Sequence, residues 1–170
     1  MFRFFRGLKL YFTDRPYYKQ WKRYMKRQDT VRKKLKKQTA EFCPWSGYYM
    51  HRMVQTMLEF YHATYEAKDC CWSESARVGR VESSLSKALE QAKALDRIDD
   101  LESEELLRLA QEDSDFAQYV TDWEKKSDYC LETASHKETL LASVAEEFLI
   151  EKYTKAMYNI IGKHIWEWCD

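Results

Sequence analysis

Glycine and proline are scarce in this 170-residue chain, which contains four Gly and two Pro. Globular proteins usually contain about 7% Gly and about 5% Pro. Folds rich in β-sheet need turn residues at regular intervals, so this scarcity argues against them. Residues that favour helix, such as Lys, Glu, Ala and Leu, are plentiful. The composition therefore predicts an all-α fold, and the length allows one domain with a substantial core.

The sequence also lacks the patterns that usually mark catalytic or metal sites. Its four glycines are scattered, whereas phosphate-cradling loops and nucleophile elbows need glycines at set positions. The five cysteines form neither a C-x-x-C motif nor a zinc spacing, and we expect reduced thiols. We therefore predict a non-enzymatic protein with no cofactor, although a helical enzyme with a dispersed site would have the same pattern.

Long apolar runs are absent too. No run reaches the roughly 18 residues that a membrane span needs. The apolar stretch at the N-terminus is interrupted by Arg3, Arg6 and Lys9 and has no small-residue cleavage site. We expect a cytoplasmic protein with no membrane partner.

Charge is distributed unevenly, although the formal net charge is zero. Residues 1–37 contain 14 of the 28 Lys and Arg but two acids, a net charge of +12, so residues 38–170 carry −12. We therefore predict a basic aromatic N-terminal arm and helix at 1–41 and an acidic helical body at 42–170, within one domain overall. Opposite charges in separate segments favour head-to-tail subunit contacts, so we expect a homo-oligomer.

The basic segment predicts a helix from about Pro16 to Lys37, capped by Asp14. One stripe of this helix is aromatic or apolar, from Tyr17 to Leu35, and requires a packing partner. The remaining surface is cationic and could neutralise phosphates. The candidate anion-binding or nucleic-acid-binding residues are Lys22, Arg23, Lys26, Arg27, Arg32 and Lys33. The alternatives are that the helix packs on the acidic body, of its own chain or of a neighbour, or that its charges are only solvated.

Apolar residues at helical spacing predict further helices after a break at Pro44. The second helix runs from a Ser46 cap to about Lys68, and its core-facing residues are Met50, Met53, Val54, Met57, Leu58, Tyr61 and Tyr65. The third helix runs from about Ser73 to Leu95, and its inner face contains Val78, Val81, Leu85, Ala88, Leu89, Ala92 and Leu95.

The rest of the chain predicts a short helix at Glu104 to Gln111, another beginning near Asp115, and a last helix from His136 to about Trp168. An unbroken rod from Asp115 onward is the alternative. The last stripe includes Leu141, Val144, Phe148, Tyr153, Met157, Ile160, Ile161 and Ile165. We predict an all-α helical bundle of about five helices, with a long C-terminal helix and a basic N-terminal helix.

A second candidate ligand-binding site lies at the predicted start of the third helix. It comprises Trp72, Arg77 and Arg80, together with Arg52 if the second and third helices are antiparallel. Helix N-termini favour anions, and Arg makes bidentate contacts with phosphates. The alternative is that Trp72 anchors the packing and the Arg residues pair with nearby acids.

Glu59 and His62 have the Glu-x-x-His spacing that di-iron bundles use. Such sites need a second pair and two further carboxylates, and the sequence has no second Glu-x-x-His. We therefore predict no metal site, and we interpret His62 as a residue at the edge of its helix.

Three motifs resemble a loose class of small helical proteins encoded by tailed bacteriophages. They are Pro44-Trp45-x-x-Tyr48 before a Met-rich helix, Trp72-x-Glu74-x-x-Arg77, and the ending Ile165-Trp166-Glu167-Trp168-Cys169-Asp170. Chains of this class often end in Trp-Trp-Asp, which is Trp-Cys-Asp here. The resemblance covers about 44–170 and transfers no site residues. It implies a phage accessory protein in the cytoplasm of an infected bacterial host.

These features together suggest a non-enzymatic phage protein that binds and sequesters an anionic ligand as a homo-oligomer. A nucleotide-type signal of host defence is one such ligand. The alternatives are a nucleic-acid-binding protein that uses the basic N-terminal helix, and a protein-interaction or virion structural component.

Overall fold

The computed structural model describes residues 15–40, 47–67, 75–127, 131 and 136–169. Within these residues all regular secondary structure is helical, which confirms the predicted all-α class. About five helices are predicted from the sequence, and the described residues form six. They are α1 (Arg15–Ala40), α2 (Gly47–Glu66), α3 (Ser75–Ile98), α4 (Ser103–Gln111), α5 (Phe116–Ser127) and α6 (Lys137–Cys169).

The segment after Asp115 forms two helices rather than one rod. Helix α5 ends at Ser127, and α6 begins at Lys137. Leu131 lies between them in a turn and is almost completely buried. Its backbone N–H donates a hydrogen bond of 2.7 Å to the Glu124 carboxylate, so a side chain satisfies a donor that a continuous helix would have paired internally.

The described residues form two compact units, each with its own core. The first contains the described residues up to Glu90 and from Ile160 onward, and the second contains Gln91–Asn159. The buried apolar residues of the first unit are Leu58, Phe60, Tyr65, Val81, Leu85, Ala88, Leu89 and Trp168. Those of the second are Ala92, Leu95, Ile98, Leu106, Ala110, Phe116, Leu131, Ala142, Val144, Ala145, Phe148, Leu149 and Met157.

Helix α3 buries the face that its sequence predicts. Every residue of that face from Val81 to Leu95 is buried, and Leu85 has no exposed surface. The side chain of Val78 lies outside the described residues. This helix follows the pattern because one contiguous stripe is apolar and most of the remaining positions are polar or charged.

Helix α2 differs from its prediction because it buries two faces rather than one. Thr56, Phe60 and Thr64 form a buried row at spacing i, i+4, i+8, whereas Leu58 and Tyr65 are buried on the opposite side. The prediction that Met50 faces the core is wrong, since Met50 is 46% exposed. The Thr56 row holds two polar residues, so a search for an apolar stripe does not detect it.

The end of α6 also differs from prediction. Ile165 is predicted to face inward but is 41% exposed, whereas Trp168 is 4% exposed. Trp168 lies eleven residues after the buried Met157, which places both within about 20° on the helix surface. Ile165 lies about 80° from Met157 on the same helix.

Candidate anion-binding site

Helix α1 packs against α2 of its own chain through a polar seam. The Gln38 side-chain amide donates a hydrogen bond of 3.0 Å to the Thr56 hydroxyl, and Lys34 Nζ lies 3.0 Å from Glu59 Oε2. Residue numbers along this seam rise in opposite directions, so the two helices are antiparallel. The sequence left open whether this helix packs on its own chain or on a neighbour. The described contacts show that it packs on its own chain.

The middle of α1 adds an aromatic contact to this seam. The rings of Tyr24 and Phe60 lie 5.9 Å apart at an interplanar angle of 47°. Phe60 is buried, and Tyr24 is half-buried. At Tyr24, the aromatic stripe of α1 is therefore used for packing on α2.

The opposite side of α1 is cationic. An open depression of about 830 Å³ lies along it, and five of its described lining residues are cations: Lys19, Lys22, Arg23, Lys26 and Lys33. We call these five residues the basic face. Asp29 is the acidic residue in the same lining, together with Met25 and Thr30. Five positive charges against one negative charge produce a positive potential that attracts anions.

The basic face is continuous because its residues follow the helical repeat. Lys19, Lys22, Lys26 and Lys33 lie within an arc of about 60° at 3.6 residues per turn. The fourteen residue-to-residue steps from Lys19 to Lys33 span about 21 Å at a rise of 1.5 Å per residue. The sequence therefore builds an extended row of charge rather than a single anion pocket.

Four of the six predicted anion-binding residues meet in this depression, namely Lys22, Arg23, Lys26 and Lys33. Arg27 and Arg32 are not among its lining residues. Arg27 is half-buried, and Arg32 is exposed but lies about 100° from Lys33 around the helix. Within the described part of the chain, no ion pair is recorded for Lys22, Lys26 or Lys33.

The second predicted site is described only in part. Arg52 and Arg80 are exposed on α2 and α3. Trp72 and the side chain of Arg77 lie outside the described residues. The carbonyl of Arg52 accepts a hydrogen bond of 2.9 Å from the Thr56 hydroxyl, so the backbone at Arg52 belongs to the polar seam.

Glu59 and His62 do not converge on a common metal position. Glu59 pairs with Lys34 and also accepts a hydrogen bond of 3.3 Å from Gln55 Nε2. His62 Nε2, in contrast, lies 2.9 Å from Ser86 Oγ on α3. Among the described residues, no group of three His, Cys, Asp or Glu side chains is arranged to hold a metal ion.

The contacts of His62 form a Ser–His–Glu series that the sequence did not indicate. His62 Nδ1 lies 3.9 Å from Glu66, so the three groups follow the order of a catalytic relay. Ser86 lies within α3, where the backbone N–H groups bond along the helix and cannot form an oxyanion hole. The Ser86–His62 contact therefore links α2 to α3, and chemistry at Ser86 is not supported.

A cleft of about 360 Å³ in the second unit is a further feature that the sequence did not indicate. The Tyr119–Phe148 ring pair, with centroids 5.1 Å apart, lines part of it. Lys152 pairs with Asp113 at the rim, and Lys155 pairs with Glu151. The described charges that line the cleft are two lysines against Asp113, Asp115 and Glu151, so the cleft lacks the strong positive potential of the basic face.

The charge pairs of the cleft are reflected in its pKa values. The hydrogen bond from Lys152 lowers the pKa of Asp113, and that from Lys155 lowers the pKa of Glu151. Burial, followed by the charges of Glu147 and Glu151, raises the pKa of Tyr119 to about 12. The Tyr119 hydroxyl therefore keeps its proton further into the alkaline range than an exposed tyrosine, and so remains a hydrogen-bond donor there.

Among the helices that the structure describes, none is long and apolar enough to cross a membrane. Comparisons of the chain with protein-family models, with curated proteins and with solved structures each give no match.

Proposed function

We propose that this protein is a non-enzymatic nucleic-acid-binding protein whose basic face holds a phosphate backbone. The observation that carries the proposal is the division of α1 into two faces. One face packs on α2 through Gln38, Lys34 and Tyr24, and the other presents five cations to an open depression. Packing thus orients the cations outward as a row.

The length of the basic face favours a polymer over a single nucleotide. Along the axis of duplex DNA, each strand carries one phosphate per about 3.4 Å, so about 21 Å of axis corresponds to roughly six phosphates of that strand. A mononucleotide would meet one or two of the five cations. A nucleic-acid strand can contact them all and release a counterion at each contact.

Binding through this face is expected to depend weakly on sequence. The described lining of the depression consists of five cations with Asp29, Met25 and Thr30, and Tyr24 is used for packing on α2. Lys and Arg contacts with phosphate position a nucleic acid but carry no information about base identity. Affinity should therefore follow strand charge and salt concentration.

The test is titration of a fluorescent oligonucleotide of about 20 nucleotides, a length that covers the face, at several salt concentrations. The triple variant Lys22→Gln, Lys26→Gln, Lys33→Gln removes three cations of the basic face while keeping residues that favour helix. We expect affinity to fall by at least about tenfold, and the slope of log K against log salt to become shallower by about 2 to 3.

The matched control is Lys87→Gln, Lys93→Gln, Lys163→Gln, which removes the same charge from exposed lysines of α3 and α6. This variant should bind almost like the wild type. Equal losses of affinity in the two variants would show that the affinity depends on net charge rather than on the basic face. No measurable binding by the wild-type chain at low salt would exclude the proposed function.

A second candidate is sequestration of a small nucleotide-type anion, which the exposed positions of Arg52 and Arg80 favour. Calorimetric titration against mono-, di- and cyclic nucleotides tests it, with Arg80→Gln as the variant. Heat release that disappears in that variant supports this candidate, and a flat response to every nucleotide rejects it. The phage-like motifs at Pro44 and at the C-terminus suggest nucleic acid from an infected bacterium as a further probe.

A further inference from the structure

The second unit carries an exposed acidic surface opposite in charge to the basic face. From Asp99 to Asp115 the chain has eight acidic residues and a single cation, Arg108. Asp99, Asp100, Glu102 and Glu104 are all exposed, and we call these four the acidic surface. Among the described residues, no ion pair is recorded for any of them.

The fold directs this charge outward. Leu106 and Ala110 bury one side of α4, and Glu104 lies about 160° from Leu106 around the helix. Arg108 is already paired within α4 and its end, 2.7 Å from Glu112 and 3.9 Å from Glu105. Arg108 is therefore engaged by other acids, and among the described residues none of the four members of the acidic surface forms an ion pair.

We propose that the basic face of one copy binds the acidic surface of a second copy when no nucleic acid is present. The two surfaces have opposite charge, both are exposed, and the two parts of the chain balance to a formal net charge of zero. A contact between different surfaces is heterologous, so the copies associate head to tail and the assembly grows with concentration.

This contact also regulates nucleic-acid binding. That regulatory part of the inference rests on the proposed function. The acidic surface of the second copy presents carboxylates where nucleic acid presents phosphates, so the two occupants of the basic face exclude each other. A strand that binds must displace the neighbouring copy. The apparent affinity for nucleic acid is therefore reduced by the fraction of copies whose basic face is covered.

The first experiment measures the size of the full chain by light scattering in the absence of nucleic acid. The basic-face variant is Lys22→Gln, Lys26→Gln, Lys33→Gln, and the acidic-surface variant is Asp99→Asn, Glu102→Gln, Glu104→Gln. We expect the wild type to associate at about 50 mM salt and to dissociate at about 500 mM, because screening shortens the range of charge interactions. Each variant alone should be monomeric.

An equimolar mixture of the two variants is the decisive sample. Each variant keeps the surface that the other has lost, so one contact per pair can form, and we expect a dimer. A mixture that stays monomeric overturns the proposal. So does a wild type that is monomeric at every concentration and salt, or a Lys87→Gln, Lys93→Gln, Lys163→Gln control that is monomeric.

The second experiment separates this inference from nucleic-acid binding itself. If two thirds of the basic faces are covered, the acidic-surface variant should bind the oligonucleotide about threefold more tightly than the wild type. The control for added net charge is Glu66→Gln, Glu90→Gln, Glu138→Gln, which changes exposed acids elsewhere. An equal gain in affinity in both variants overturns the proposed competition between a second copy and nucleic acid for the basic face. Self-association without oligonucleotide binding overturns the proposed function and leaves the contact between copies standing.

Discussion

Trp168 donates a hydrogen bond of 2.9 Å from its indole Nε1 to the hydroxyl of Ser84, 84 residues earlier in the chain, and both groups are buried. The Ser84 hydroxyl donates in turn to the carbonyl of Val81 at 3.0 Å. The Tyr65 hydroxyl donates to the backbone carbonyl of Trp168 at 3.1 Å. The end of α6 is therefore held in the first unit by polar contacts on both α2 and α3.

Ser84→Ala should lower the free energy of unfolding by about 1 to 3 kcal/mol, because it leaves the buried indole N–H without its acceptor. Trp168→Phe removes the donor, and the double variant should show a coupling of about 0.5 to 2 kcal/mol. Urea unfolding measures these changes.

The matched control for Trp168 is Trp166→Phe, since Trp166 is 78% exposed two residues earlier. It should change stability by less than about 0.5 kcal/mol. Similar costs at the two tryptophans would contradict the assignment of Trp168 as the anchor.

Thr56→Val should destabilise the packing of α1 on α2 more than Lys34→Ala does. Thr56 is 3% exposed and bonds Gln38, so its loss should cost about 1 to 2 kcal/mol. The Lys34–Glu59 pair is exposed and screened, and its loss should cost at most about 1 kcal/mol. The order of the two unfolding free energies checks this, and the reverse order would show that charge rather than the buried hydroxyl holds α1.

Tyr119 should make stability sensitive to alkaline pH. Its pKa in the folded chain is raised from 10.0 to about 12 by burial and by Glu147 and Glu151. The unfolded chain therefore loses this proton first. The contribution is fully present below pH 10 and is lost as pH rises toward about 12. Alkaline unfolding curves of the wild type and of Tyr119→Phe test this, and curves of identical slope would reject it.

His51 should make stability sensitive to acidic pH, whereas Tyr119 acts at alkaline pH. Burial lowers its pKa below the ordinary value of 6.5, so the unfolded chain takes up the proton first as pH falls. The contribution to stability is present above pH 6.5 and declines as pH falls from there toward the folded-state pKa. His51→Gln should flatten the dependence between about pH 7.5 and about pH 5.5, where histidines titrate. His136→Gln, at an exposed position, is the control, and an equal flattening in the two variants would reject the assignment to His51.

Periodicity predicts α3 well but α2 poorly. The stripe from Val81 to Leu95 is buried in the structure as the spacing indicates. In α2 the second buried row contains Thr56 and Thr64, whose hydroxyls are satisfied by Arg52 and Phe60 carbonyls one turn earlier. A threonine that bonds its own helix can be buried at little cost, and hydropathy alone does not reveal it.

The sequence predicted the candidate site only in part. The charge count identified the segment, and helical spacing placed Lys22, Lys26 and Lys33 on one side. Arg27 and Arg32 are equally basic in the sequence, but they do not line the depression. Which cations stay outward depends on the side that packs on α2, and the Gln38–Thr56 and Tyr24–Phe60 contacts decide that side.

The sequence by itself determined the helical class, the burial of α3 from Val81 to Leu95, and the separation of positive from negative charge. These follow from composition and from spacing within one helix, both of which are local. Tertiary structure decided which side of α1 is covered, why Met50 and Ile165 are exposed, and why Trp168 is buried beside Ser84. Each of these depends on a partner distant in the chain, and no pattern within one helix encodes that partner.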